Sequence, residues 1–83
     1  MNTEKISVER FLDKEDIIQD QIDDIILELI KERKKNRITQ VELSKITGIP
    51  QTTISRLESF NCIPTLQVLL RISNALGLSL FLK

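Results

Sequence analysis

The sequence predicts an all-α fold, in which short helices close around a modest core, and three observations carry that prediction. The apolar content comes from Ile and Leu, with no Trp, no Tyr and 3 Phe. Gly and Pro number 2 each, so breaks in the chain are few and each one is informative. Helix-start residues (Thr39, Pro50, Thr65) and helix-stop residues (Gly48, Gly77) alternate along the second half of the chain. At 83 residues there is room for one domain with a modest core.

Residues 1–12 lack sustained periodicity and read as an N-terminal tail, with one helical turn at Val8–Leu12. The single domain is expected over 13–83. Asp13 is placed to cap a long helix, with Glu15 and Asp16 in its first turn. Ile18, Ile22, Ile25 and Leu29 keep one face, and Ile17, Ile26 and Ile30 widen it. Lys31-Glu32-Arg33-Lys34-Lys35 puts cations at the C-terminal end of the dipole, and Asn36 is the expected stop. Thr39-Gln40-Val41-Glu42 is a capping box opening a second helix to about Ile46, with Val41, Leu43 and Ile46 apolar.

Gly48 marks the next turn, where φ > 0 is expected. Pro50 fits the first turn of a third helix, which turns Ile54 and Leu57 inward. Ser59–Ile63 reads as a loop closed by Pro64. Thr65 caps a fourth helix carrying Leu66, Leu69, Leu70, Ile72 and Leu76, which Gly77 ends. In residues 78–83 the alternation of Leu78, Leu80 and Leu82 predicts a short strand. A lone strand needs a partner, so pairing with the same strand of a second subunit is expected; a disordered or packed tail is the alternative.

The formal charge is 0, with 12 basic and 12 acidic residues. The charges are nonetheless segregated. Met1–Ile30 holds nine acids and three bases, whereas Lys31–Lys83 holds nine bases and three acids. A basic half can meet phosphates while an acidic half faces another partner, although solvated faces would give the same count. No apolar run reaches the ~20 residues of a membrane span and no signal peptide is evident, so a cytoplasmic protein is expected. The lone Cys62 reads as a half-buried thiol, since no second Cys and no His could share a metal. With no His, no nucleophile beside a base and no phosphate-binding Gly loop, neither an enzyme nor a cofactor is expected.

Two short helices with a tight turn, over 39–58, carry the chemistry. Gln40 begins the second helix, where main-chain amides and its side-chain amide would meet a phosphate oxygen. The third helix offers Gln51-Thr52-Thr53, then Ser55 and Arg56, on its outer face. Gln pairs bidentately with adenine, Thr methyl groups pack on thymine, and Arg pairs with guanine in the major groove.

Arg33, Ile38-Thr39-Gln40, Glu42-Leu43-Ser44, Gly48-Ile49, Ile54-Ser55-Arg56-Leu57-Glu58, Pro64-Thr65-Leu66, Leu69, Ile72 and Ala75-Leu76-Gly77 stand in an ordered set. Together they resemble the lambda-repressor-like (Cro/CI, or XRE) helix-turn-helix family over about Leu29 to Leu78. The resemblance implies about five helices and a homodimer on a pseudo-palindromic double-stranded DNA operator. It assigns Gln51, Thr52 and Arg56 to base reading, with Thr53 and Ser55 as helpers. Gln40 falls on the phosphate position at the start of the second helix, with Thr39 and Asn61 as further backbone candidates. Arg33 and Glu58 fall where the family has a structural ion pair.

Ser44 stands where the family favours Ala. Phe60 stands where Gly is common, and the loop Ser59–Ile63 lacks the usual basic residue. The acidic N-terminal extension and the apolar C-terminal segment (Leu78, Leu80, Phe81 and Leu82 as dimerisation residues) resemble the HigA/HipB-type antitoxin branch. That resemblance implies an autorepressor whose acidic region binds a toxin protein. A stand-alone or phage-type repressor, and an antitoxin acting mainly through protein–protein binding, are the alternatives.

Overall fold

The computed structural model describes residues 14–78, and over these the fold is all-α, with four helices. The Val8–Leu12 turn, the Asp13 cap and the C-terminal strand with Leu80, Phe81 and Leu82 lie outside the described residues. The helices are α1 (Lys14–Lys35), α2 (Gln40–Thr47), α3 (Gln51–Glu58) and α4 (Leu66–Ala75). Helix α1 packs against α3, and α2 packs against both α3 and α4.

The core is a single cluster of Ile26, Leu29, Leu43, Ile49, Ile54, Leu57, Leu69, Ile72 and Leu76. Every helix sends its periodic face into it, which is how helices this short gain stability they would lack alone. On α1 the buried positions are Ile26, Leu29 and Arg33, with Ile22, Ile25 and Ile30 packed beside them. Ile17 and Ile18 do not join the core: both are exposed, because α1 begins more than a turn before the first core contact at Ile22. On α2 only Leu43 is buried, while Val41 and Ile46 face outward. Leu66 is likewise exposed, so the inward face of α4 starts at Val68 and Leu69.

The capping box forms as expected. The Glu42 amide donates to Thr39 Oγ1 at 3.0 Å and the Thr39 amide donates to Glu42 Oε1 at 2.8 Å. Thr65 caps α4 by accepting from the Val68 amide at 3.1 Å. Pro50 departs by one position. It is the N-cap of α3 rather than its first residue, with extended ψ of 141°, and its carbonyl accepts from Thr53 and Ile54.

Three helices end the same way. The amide of the third residue past the helix reaches back five positions, and the one before it reaches back three. Ile38 donates to Arg33 O and Arg37 to Lys34 O, both at 3.0 Å. Asn61 donates to Arg56 O and Phe60 to Leu57 O; Leu78 donates to Ser73 O and Gly77 to Asn74 O. This paired closure requires a left-handed residue, supplied by Arg37 (φ 59°), Phe60 (φ 60°) and Gly77 (φ 76°). The stop of α1 is therefore Arg37 rather than Asn36. Asn36 sits in the last turn with its side-chain amide donating to Glu32 O at 2.9 Å.

The turn between α2 and α3 is stitched by small hydroxyls. Gly48 adopts φ 76° and donates to Ser44 O at 2.8 Å. Ser44 Oγ donates to Ile49 O at 2.6 Å, and Thr47 Oγ1 donates to Leu43 O while accepting from the Ile49 amide. Ser44 thus keeps the close helix approach that Ala would allow and adds a tether to the turn.

Candidate nucleic-acid interface

Helix α3 separates two sets of residues by face. Ile54 and Leu57 are buried, which fixes the rotation of the helix about its axis. That rotation leaves Gln51, Thr52, Ser55 and Arg56 exposed, and the four line one open concavity. Thr53 is set apart: it is half-buried and does not line that face. Four of the five expected reading residues are therefore brought together, none of them in the core and none with a side-chain hydrogen bond among the described residues.

Glu58 holds this helix to the rest of the protein. Its carboxylate accepts from Arg33 Nε (Oε2) and Arg33 Nη2 (Oε1), each at 2.7 Å, the fork-on-fork geometry that favours Arg. Arg33 Nη1 donates to Ile38 O at 2.7 Å. The side chains of the pair are only 10% and 11% exposed. The ion pair expected from the family pattern is present, and it ties α1 to the end of α3.

A third helix joins at the same carboxylate. Gln40 Nε2 donates to Glu58 Oε1 at 2.9 Å. This departs from the expectation that the Gln40 side chain points outward to a phosphate. The reason is electrostatic: a half-buried carboxylate with room for one more donor is a better partner than solvent. What Gln40 still offers a phosphate is its main-chain N–H, left without an intrahelical acceptor at the first position of α2. Thr39 remains suited to the backbone role, since its hydroxyl oxygen accepts from Glu42 and its proton is left for a phosphate.

The Glu42 carboxyl titrates below the ordinary glutamate range. The Thr39 main-chain N–H is the chief cause, followed by the Thr39 side chain and the nearby Lys45 charge. Arg37 and Lys45 flank this corner, lining a concavity between the end of α1 and α2. Neither Arg37 nor Lys45 is among the residues that the sequence pattern places at a DNA contact.

Asn61 lies in the loop after α3 and does not line the concavity of Gln51, Thr52, Ser55 and Arg56. Its main-chain N–H is bonded to Arg56 O, the Phe60 N–H to Leu57 O and the Ser59 N–H to Ser55 O. Those loop amides are therefore unavailable to a phosphate. Asn61 lines a separate open concavity with Gln19 and Asp23 of α1. Leu78, expected at a dimer contact, is half-buried against the core of its own chain.

A short helix with an unburdened polar face, fixed by a tight turn to a helix whose capped start faces solvent, defines a DNA-binding helix-turn-helix protein. A helix-turn-helix family model matches residues 29–82, well over half the chain. The chain belongs to the lambda-repressor-like (Cro/CI-type, XRE) helix-turn-helix family, whose members are DNA-binding transcription regulators. No curated protein and no solved structure gave a match. None of the helices among the described residues is long and apolar enough to cross a membrane.

Proposed function

We propose that this chain is a cytoplasmic, sequence-specific repressor that binds a pseudo-palindromic operator as a homodimer. The observation that carries the reading is the outer face of α3, where Gln51, Thr52, Ser55 and Arg56 are exposed and line one concavity. Arg56 is the guanine reader, Gln51 the adenine reader, and the Thr52 methyl packs on thymine. Thr53 and Ser55 assist at the edges of this face. Thr39 Oγ1 and the Gln40 main-chain N–H hold the backbone. Leu78, Leu80, Phe81 and Leu82 are the dimer contacts in this reading.

Affinity for a selected duplex should fall with salt as counterions are released. Replacing Arg56 by Ala should cost about 1–3 kcal/mol and relax preference at one base pair of each half-site. Fluorescence anisotropy with a single-substitution duplex series tests this; unchanged selectivity in Arg56→Ala removes it from the reading set.

The acidic first third of the chain favours a second partner as well. In this reading the protein is the antitoxin and autorepressor of a toxin–antitoxin operon, and its acidic N-terminal region covers a basic toxin. Removing residues 1–12 should abolish neutralisation of the toxin encoded alongside and leave operator binding intact. Neutralisation that survives the truncation assigns the contact elsewhere.

A further inference from the structure

The bases in the second half of the chain are unevenly placed. Eight fall between Lys31 and Leu78. Arg33 is held by Glu58, Lys31 pairs with Glu28, and Arg56 stands on the outer face of α3. Arg71 is exposed on α4. The other four, Lys34, Lys35, Arg37 and Lys45, are all exposed and fall between the last turn of α1 and the last turn of α2. Among the described residues none of the four makes an ion pair.

Two of these four share a site. Arg37 and Lys45 line one open concavity with Asn36, Ile38, Glu42 and Ile46. Glu42 is its single acid, and that carboxylate already accepts from the Thr39 main-chain N–H at 2.8 Å. The concavity is therefore cationic on balance. It also adjoins the capped start of α2. Arg37 precedes the Thr39 cap by two residues, which keeps their Cα atoms within about 7 Å. Lys45 lies five residues past the first residue of α2, about 8 Å along its axis.

The loop that follows the reading helix offers no such charge. Ser59–Ile63 contains no base, and the N–H groups of Ser59, Phe60 and Asn61 are bonded to main-chain carbonyls. The sequence-independent hold on duplex DNA comes from Lys and Arg on phosphates. The exposed cations suited to that role gather on the α1–α2 side of this chain.

We propose that Arg37 and Lys45 form a second phosphate grip, which follows the DNA backbone onward from the contact at Thr39 and Gln40. The inference rests on the DNA reading above and adds to it two residues that the sequence pattern does not place at a DNA contact. Phosphate contacts supply affinity and register without reading bases, so the grip is indifferent to sequence.

The test uses the full chain and two fluorescent duplexes, each about three helical turns long, one selected by the protein from a random library and one of mixed sequence. In Arg37→Gln/Lys45→Gln both charges go while the side chains stay long and polar, so the melting temperature should hold. The salt dependence of affinity should become shallower by nearly two phosphate contacts, alike on both duplexes. Between about 50 and 200 mM salt the parent should then lose about tenfold more affinity than the variant. Lys45→Gln alone, at an exposed helical site, should give about half that change in slope, so the outcome does not hang on the left-handed position of Arg37. Arg37→Lys/Lys45→Arg and Arg71→Gln should both keep the parental slope.

A parental slope in the double Gln variant overturns the grip. So does equal shallowing in Arg71→Gln, which would make the effect one of net charge. A loss confined to the selected duplex also overturns it, since the two residues would then be reading sequence. If the parent binds neither duplex, the DNA reading fails and the grip with it; parental binding with an unaltered slope in the variants sinks the grip alone.

Discussion

Replacing Glu58 by Ala removes three hydrogen-bond acceptor contacts in one step: two from Arg33 and one from Gln40. Arg33 is left with only the Ile38 carbonyl for its guanidinium, in a site where the residue is 8% exposed. Breaking one side of a pair this deeply placed costs about 3–5 kcal/mol, because the remaining charge is stranded. Removing a negative charge from the C-terminal end of α3 returns ~0.3–1 kcal/mol through the helix dipole, too little to compensate.

A chain of this size has roughly 4–12 kcal/mol of total stability, so the variant should sit near the folding threshold. At roughly 4–8 °C per kcal/mol, a net loss of about 2 kcal/mol or more should lower the thermal unfolding midpoint by circular dichroism by at least about 8 °C. The double variant Arg33→Met/Glu58→Leu, in which neither charge remains, should recover most of that loss. The exposed Lys31–Glu28 pair at 3.4 Å is the internal control, since breaking it should cost under about 1 kcal/mol. A Glu58→Ala loss below about 1 kcal/mol, or a double variant no better than the single, would refute the claim that this carboxylate anchors α3.

Other consequences follow from local geometry. Arg37→Gly should raise stability by about 0.5–1 kcal/mol, since relief of left-handed strain exceeds the added flexibility of the unfolded chain; a lower melting temperature contradicts the φ of 59°. Ser44→Ala should cost about 1 kcal/mol, because Ile49 O loses its donor while Ala recovers part of the difference through helix propensity; urea titration reads this directly. The Glu42 carboxyl titrates low in the folded state, so its contribution is present above the ordinary glutamate range and is lost as pH falls through the lowered value. Glu42→Gln keeps the capping box and removes that ionisation, so its melting temperature should fall less steeply on acidification than that of the parent; parallel curves count against the carboxylate.

Features that depend on near neighbours in the chain were readable in the sequence. The Thr39–Glu42 box, the Thr65 cap, Gly48 and Gly77 each express a local backbone need through a residue type that meets it. The inward pair Ile54 and Leu57 followed from spacing. The Arg33–Glu58 pair joins residues 25 apart and came from the family pattern, because periodicity carries no information about partners so distant. Arg37 and Phe60 do not announce left-handed backbone by residue type, since neither is Gly or Asn; for Phe60 the family preference for Gly at its position is the one signal, and for Arg37 only the closing hydrogen bonds reveal it. Gln40 turned inward because a carboxylate from α3 reaches it, which no reading of α2 alone could foresee. Ile17, Ile18, Val41, Ile46 and Leu66 matched a helical face without lying in the core, since spacing shows which residues share a side and not what lies opposite.

The division of α3 into two faces has an evolutionary reading. The side chains of Gln51, Thr52, Ser55 and Arg56 are exposed and stand outside the core, so exchanging them should cost what an ordinary surface substitution does, within about 0.5 kcal/mol. Ile54, Leu57 and Glu58 allow no such freedom. A lineage can therefore drift from one operator to another through single replacements while every intermediate stays folded, and duplicated copies can diverge in target before they diverge in shape.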